Sequence, residues 1–294
     1  MILNASGRCD ICGYFMPWLM SRIKEGYADV RNPFYPHLVH RIPFEQVEGI
    51  VFCTKNPIPA LGVLEKIPWP MLFHVTLTPY IENMEPCVPD KRLIIEAIHE
   101  LSEKLGKNHV IVRYDPILIS DQYTVAYHQM MFERMCSHLE GKVETIIISF
   151  LDLKKNTRIN QKIYQYRKPS VEEIHEMCAA FSCSAKKHGM MIQTCAEEID
   201  LSVYEIHNVP CFSEEIAYFL TGVLKRRKRG QREECKCIST VDLGAYNLCL
   251  HGCRYCYANY DEKMIRHNMK LHDPMSSLIC GHLQKDDEIR IRED

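Results

Sequence analysis

The chain has 294 residues, is 46% hydrophobic and sets 36 Lys and Arg against 38 Asp and Glu, a formal net charge of -2. That is enough apolar material for one large barrel or two modest domains, and the near-neutral charge excludes a global pull toward nucleic acid or acidic membranes, so any basic partner surface is local. No apolar run suits a bilayer span and the start, MILNASGRCD, lacks the positive end and apolar centre of a signal peptide, so no membrane partner and a cytoplasmic protein are expected. In a reducing compartment the 15 cysteines are better explained by metal or catalysis than by disulfides.

Short apolar runs alternate with helical patterns over the first two thirds: 1–4 (MILN), 49–54 (GIVFCT), 71–78 (MLFHVTLT), 109–114 (HVIVRY), 145–150 (TIIISF) and 190–194 (MMIQT). The clearest helix is predicted over 89–105, with Leu93, Ile94, Ala97, Ile98, Leu101 and Leu105 on one face and Gly106 as its stop. Another begins at Ser170 with Glu173 three residues on, a capping box, and ends at Gly189. Strand then helix, repeated, predicts an α/β fold: a (β/α) barrel or partial barrel of six to seven parallel strands covered on both faces. An open doubly wound sheet is the alternative, and in either case the C-terminal strand ends share one ligand-binding rim. Thr54, Lys55, Asn56 and Pro57 end the second run, Thr76 and Thr78 the third, Arg113, Asp115 and Pro116 the fourth, and Gln193, Thr194, Cys195, Glu197 and Glu198 the sixth.

The last third changes character. A cysteine-rich segment, 195–237, holds Cys195, Cys211, Cys235 and Cys237 around a helix predicted over 213–224. Residues 239–247 (STVDLGAYN) read as a strand that runs into the loop CLHGCRYC, so 239–260 forms a strand-and-loop unit, and 261–294 reads as a loosely packed polar tail of a single domain spanning 1–294.

In CLHGCRYC, three residues separate Cys249 from Cys253 and two separate Cys253 from Cys256, with Gly252 relieving crowding beside the middle cysteine. Three thiolates can then address one small object. A zinc ion would need a fourth ligand, which His251 or His267 offers. A [4Fe–4S] cluster is normally held by four thiolates, so three would leave one iron free to bind something else.

This spacing, with Tyr255 before the last cysteine, resembles the signature of radical S-adenosylmethionine (SAM) enzymes. Their loop follows the first barrel strand; here it follows the last, as a circular permutation would place it. Residues 51–57 (VFCTKNP), 73–80 (FHVTLTPY) with Glu85, and 110–117 (VIVRYDPI) are similar in order and content to the spore photoproduct lyase-type branch. The resemblance implies a [4Fe–4S] cluster on Cys249, Cys253 and Cys256, with SAM on its open iron and Tyr255 near the adenine. It places Lys55 on the SAM carboxylate, Thr76 or Thr78 on the methionine end and Arg113 on the ribose or carboxylate side, with Asn56 beside them. It also implies reductive cleavage to a 5′-deoxyadenosyl radical that takes hydrogen from an unidentified substrate, and an electron donor such as ferredoxin or flavodoxin. Tyr114 or a cysteine is a candidate to return the hydrogen. Cys9 and Cys12 depart from the family pattern and have no assigned role.

Cys195, Cys211, Cys235 and Cys237 supply four thiols for a second, auxiliary [4Fe–4S] cluster or a structural zinc site, the one-residue gap between Cys235 and Cys237 being short for zinc. Cys53, Cys136, Cys178 and Cys183 read as core residues. Two basic patches remain: Lys154, Lys155, Arg158, Lys162, Arg167 and Lys168 with Tyr164 and Tyr166, and Lys225, Arg226, Arg227, Lys228, Arg229 and Arg232. They suit phosphate contact and base stacking, or simply a solvated loop and a helix C-terminus. The sequence therefore predicts a radical SAM enzyme, oxygen-sensitive and open to a nucleic acid substrate; the alternative is a non-enzymatic zinc or Fe–S module that recognises nucleic acid.

Overall fold

The computed structural model describes residues 1–224 and 235–293. In chain order the elements are β1 (Ile2–Ala5), α1 (Ile11–Tyr14), α2 (Met16–Glu25), β2 (Tyr27–Arg31), β3 (Leu38–Pro43), β4 (Gly49–Thr54), α3 (Ile58–Leu61), β5 (Met71–Thr76), α4 (Lys91–Leu105), β6 (Val110–Ile117), α5 (Val125–Leu139), β7 (Thr145–Phe150), α6 (Arg158–Tyr164), α7 (Val171–Lys187), β8 (Met191–Thr194), β9 (His207–Asn208), α8 (Glu214–Thr221), β10 (Val241–Asp242), α9 (Glu262–Leu271) and β11 (Glu288–Ile291).

Eight of the strands form one sheet in the order β10-β1-β4-β5-β6-β7-β8-β9, and every neighbouring pair in it is parallel. The expected six to seven strands become eight through β9, whose two residues are too few to leave a periodic trace; β9 and β10 are both only two residues long. They stand at opposite edges of the order, so the ladder is open rather than closed on itself. The strand expected over 239–247 is only Val241–Asp242, because the chain turns at once: Asp242 Oδ1 accepts the Gly244 N–H at 2.7 Å. Gly244 is required there, since a Cβ would lie 2.0 Å from Ser6 Oγ.

Strand alternation gives the sheet two buried faces. Leu3, Ile50, Phe52, Phe73, Val75, Val112, Ile146 and Ile148 join the apolar sides of α4, α5 and α7 in the main core. Ile2, Val51, Leu72, Ile111 and Ile147 face the other way, against Phe212, Ile238 and the α8 residues Ala217 and Leu220. Helix α4 buries Ile94, Ala97, Ile98 and Leu101, but Leu93 is exposed, one step off the stripe at 100° per residue. The capping box at α7 forms as read, with Ser170 Oγ accepting the Glu173 N–H and the Glu173 carboxylate accepting the Ser170 N–H. Helix α8 is shorter than 213–224, ending where Gly222 turns left-handed at φ 68°.

The expectation of a loose tail is overturned. β11 pairs with β3, which pairs with β2, in a separate three-stranded sheet absent from the sequence reading. Ile265, Leu278 and Ile279 are buried, Trp18 Nε1 donates to the Ser276 carbonyl at 2.9 Å, and Arg31 pairs with Asp287. Polar residues cover the tail's outer side and hide these few anchors from a periodicity search. Among the described residues, no helix is long and apolar enough to cross a membrane.

Candidate functional site

The loop Cys249–Cys256 is fastened to the C-terminal ends of β1, β4 and β5 by buried polar contacts. Asp10, which caps α1 through the Gly13 N–H at 2.7 Å, also accepts from Thr54 Oγ1 at 2.9 Å, the Lys55 N–H at 2.8 Å and His251 Nε2 at 2.7 Å. Burial would raise the Asp10 pKa, but these bonds, His251 foremost, hold it below the usual carboxylate value. His251 Nδ1 lies 3.0 Å from Tyr14 Oη and 3.3 Å from the Cys87 carbonyl. Both ring nitrogens of His251 are therefore engaged in hydrogen bonds. The other candidate, His267, is exposed on α9. Asn259 closes the loop from behind, accepting the Leu248 and Cys249 N–H groups and donating to the Arg8 carbonyl. Gly252 adopts φ 67°, and a Cβ there would meet Pro86 at 3.0 Å, which explains the glycine beside the middle cysteine.

A second set of contacts converges on Glu85, which is only 3% exposed. Its carboxylate pairs with Lys55 at 2.8 Å and with Lys91, and accepts from Thr78 Oγ1 at 2.6 Å and from Tyr255 Oη. Burial opposes its ionisation, but Lys55 and Lys91 prevail and bring its pKa down to about 2. Lys55 is in turn raised above its ordinary value, Glu85 and the Cys253 sulfur outweighing desolvation. Its ammonium lies 5.6 Å from the centre of the Tyr255 ring. Tyr255 and Cys253 border an apolar cluster of Tyr80, Met84, Leu118, Tyr123, Leu151 and Tyr166.

Lys55, Thr78 and Tyr255 thus meet at one carboxylate. Asn56 instead stabilises its own turn, accepting the Ile58 N–H at 3.3 Å. Thr76 sits opposite Arg113 in the β5–β6 register. Arg113 pairs with Asp115 at 2.6 Å and lines a different space, described below. Tyr114 is buried, its ring edge-on to the stacked pair Phe132 and Phe181, and its hydroxyl is already engaged 2.8 Å from His128 Nδ1. Asp10, Lys91 and Asn259 are the residues the sequence reading missed. Asp10 before a short helix carried an N-cap signal; nothing local marks the other two.

The thiols differ in packing. Cys195, Cys211 and Cys237 have their sulfurs within 4.8 Å of one another, the one such group of three potential metal ligands among the described residues. Cys249, Cys253 and Cys256 do not form such a compact group. Cys235, expected to be a fourth auxiliary ligand, lies outside the compact group but lines the same cavity, as do Asn4, Cys53, His74 and Arg113. The proximity of Cys195 and Cys237 pushes the Cys211 thiol down, while the neighbouring Cys211 and burial push Cys195 up. Cys9, Cys12, Cys136 and Cys178 are buried as core residues, whereas Cys183, expected in the core, is exposed.

The first basic patch is partly spent on structure. Tyr166 is buried and bonds the Arg254 carbonyl at 3.2 Å, Tyr164 lies beneath the Arg254 guanidinium, and Arg167 and Lys154 pair with Glu173 and Asp152. These two tyrosines brace the cysteine loop. The second patch, Lys225, Arg226, Arg227, Lys228, Arg229 and Arg232, lies outside the described residues.

Fold and site together define an α/β protein with an open parallel sheet and two cysteine groups, three thiols of which are close enough to bind a metal. The chain belongs to the family described as Domain of unknown function (DUF1848), whose model matches residues 2–258 and so includes both cysteine groups. No curated protein matches it.

Proposed function

We propose that the chain is a radical SAM enzyme, a permuted partial barrel in which Cys249, Cys253 and Cys256 hold a [4Fe–4S] cluster. The observation that carries this reading is the donor set of the loop. It offers three thiols, while both ring nitrogens of His251 are engaged by Asp10 and Tyr14. A closed zinc tetrahedron would lack a ligand, whereas a four-iron cluster takes three thiolates on separate irons and keeps one iron open. When bound with SAM and reduced by a donor such as ferredoxin or flavodoxin, the cluster supplies a 5′-deoxyadenosyl radical for hydrogen abstraction.

The protein's own part is to hold and shield. Asp10 and Asn259 fix the loop backbone, while Tyr80, Tyr123 and Tyr166 keep water from the side of Cys253. Lys55, poised by Glu85 beside Tyr255, supplies the cation that a bound carboxylate requires. Thr78 positions Glu85, and Arg113 and Thr76 lie further along the rim. The substrate is unidentified, and nucleic acid stays a candidate through the basic patches.

Anaerobic purification and reconstitution with iron and sulfide test the proposal. The expected product is a brown protein with about four irons per chain that cleaves SAM to 5′-deoxyadenosine on reduction, both properties being lost in the Cys249→Ala, Cys253→Ala, Cys256→Ala variant. A colourless zinc protein without SAM cleavage overturns it and favours the non-enzymatic alternative.

A further inference from the structure

Cys195, Cys211 and Cys237 make a compact triangle, with sulfur separations of 3.6 Å for Cys195–Cys237 and 3.3 Å for Cys211–Cys237. Its size discriminates between occupants. Thiolates on one zinc ion stand about 2.3 Å from the metal, which at tetrahedral angles puts them ~3.8 Å from one another. In a four-iron cluster each thiolate takes a different iron, so the sulfurs stand further apart. The triangle has the dimensions of a single ion. The Cys211 N–H donates to Cys195 Sγ at 3.3 Å, which fixes the two residues against each other.

Three ligands leave one tetrahedral position, and a second observation shows what lies beside it. Cys211 and Cys237 line a cavity of 190 Å³ together with Asn4, His74 and Arg113. Asn4 Oδ1 and His74 Nδ1 are buried with no hydrogen-bond partner, and His74 is only 2% exposed. Buried polar atoms of this kind are costly unless something satisfies them. Both belong to strands, Asn4 on β1 and His74 on β5, so the sheet itself holds them in place.

We propose that Cys195, Cys211 and Cys237 bind a single zinc ion whose fourth position opens on this cavity. There it takes a small ligand bearing a metal-binding oxygen or sulfur and a hydrogen-bond donor for Asn4. This replaces the auxiliary [4Fe–4S] cluster expected from the sequence with an open three-thiolate centre, and it stands whether or not the 249–256 loop holds a cluster.

The test uses the full-length chain carrying Cys249→Ala, Cys253→Ala and Cys256→Ala, so that failure of the radical SAM reading leaves it unaffected. Cobalt(II) added to the metal-free protein binds one per chain, with tetrahedral d–d bands and sulfur-to-cobalt charge transfer from three thiolates. Mercaptoethanol then raises the charge-transfer intensity by about a third as a fourth sulfur enters. Asn4→Ala weakens that response without loss of cobalt, and Cys235→Ala leaves the cobalt spectrum unchanged. Alkylation mapped by mass spectrometry, which needs no substitution in the buried triangle, shows zinc protecting Cys195, Cys211 and Cys237. A brown protein binding iron and sulfide at this site overturns the proposal. So does a four-thiolate spectrum that is present before mercaptoethanol and falls in Cys235→Ala, or an absence of cobalt binding.

Discussion

The carboxylate of Glu85 serves Lys55, Lys91, Thr78 and Tyr255 at once. Removing it by Glu85→Ala leaves two ammonium groups facing each other in a half-buried space, at a cost of ~3–5 kcal/mol in urea unfolding. Its titration has a definite sign. The folded pKa of about 2 lies below the ordinary 4.5, so the unfolded chain takes up the proton first as pH falls. The stabilisation, ~3 kcal/mol, is complete above about pH 4.5 and lost as pH drops toward 2. Wild type should therefore lose more stability than Glu85→Gln between about pH 7 and about pH 3; equal losses would remove Glu85 from the account. Strand-end position alone announces Lys55 and Thr78, and the cysteine motif announces Tyr255. Their convergence is a different matter: Lys55 lies 30 residues from Glu85 and Tyr255 lies 170. No local spacing encodes a meeting across the sheet.

At the scale of elements, legibility follows length and period. Helices α4 and α7 and strands β4 to β7 are long enough for apolar periodicity and caps to declare them, and they appear within a few residues of expectation. The two-residue strand β9, and the hairpin β2–β3 that β11 joins, fall below that threshold, while β10, read as a strand over 239–247, is cut to two residues. The tail is instructive because it is mostly polar yet anchored at a few points: Leu278 is 2% exposed, next to Ser277, whose carbonyl accepts the Asp29 N–H at 2.9 Å. Leu278→Ala should cost ~2–5 kcal/mol, as for other buried leucines. A loose tail would give a change near zero in the same denaturation midpoint, which makes the two pictures easy to separate.

The molecule as a whole explains why a cysteine loop at the end of the chain can act at the rim of the first strands. β10 pairs with β1 through Leu3–Val241 and Asn4–Asp242, so the segment after β10 emerges beside the segment after β1, where Asp10 and Arg8 receive it. The main core runs through the chain from Met1 and Leu3 to Leu248, Cys249 and Ile279, with no seam between an early and a late part. Such a core should unfold as one unit in the metal-free protein, where no bound ion complicates two-state behaviour. The two tryptophans are well placed to report it. Trp18 bonds the C-terminal segment at Ser276, whereas Trp69 packs edge-on against Phe44 beside the start of β5. In Trp18→Phe and Trp69→Phe variants each remaining tryptophan should give the same urea midpoint, within the shift the substitution itself causes, as far-ultraviolet circular dichroism of that variant. A fluorescence transition at Trp18 that precedes the loss of secondary structure would mean that the C-terminal segment, and the cysteine loop with it, is a separate folding unit.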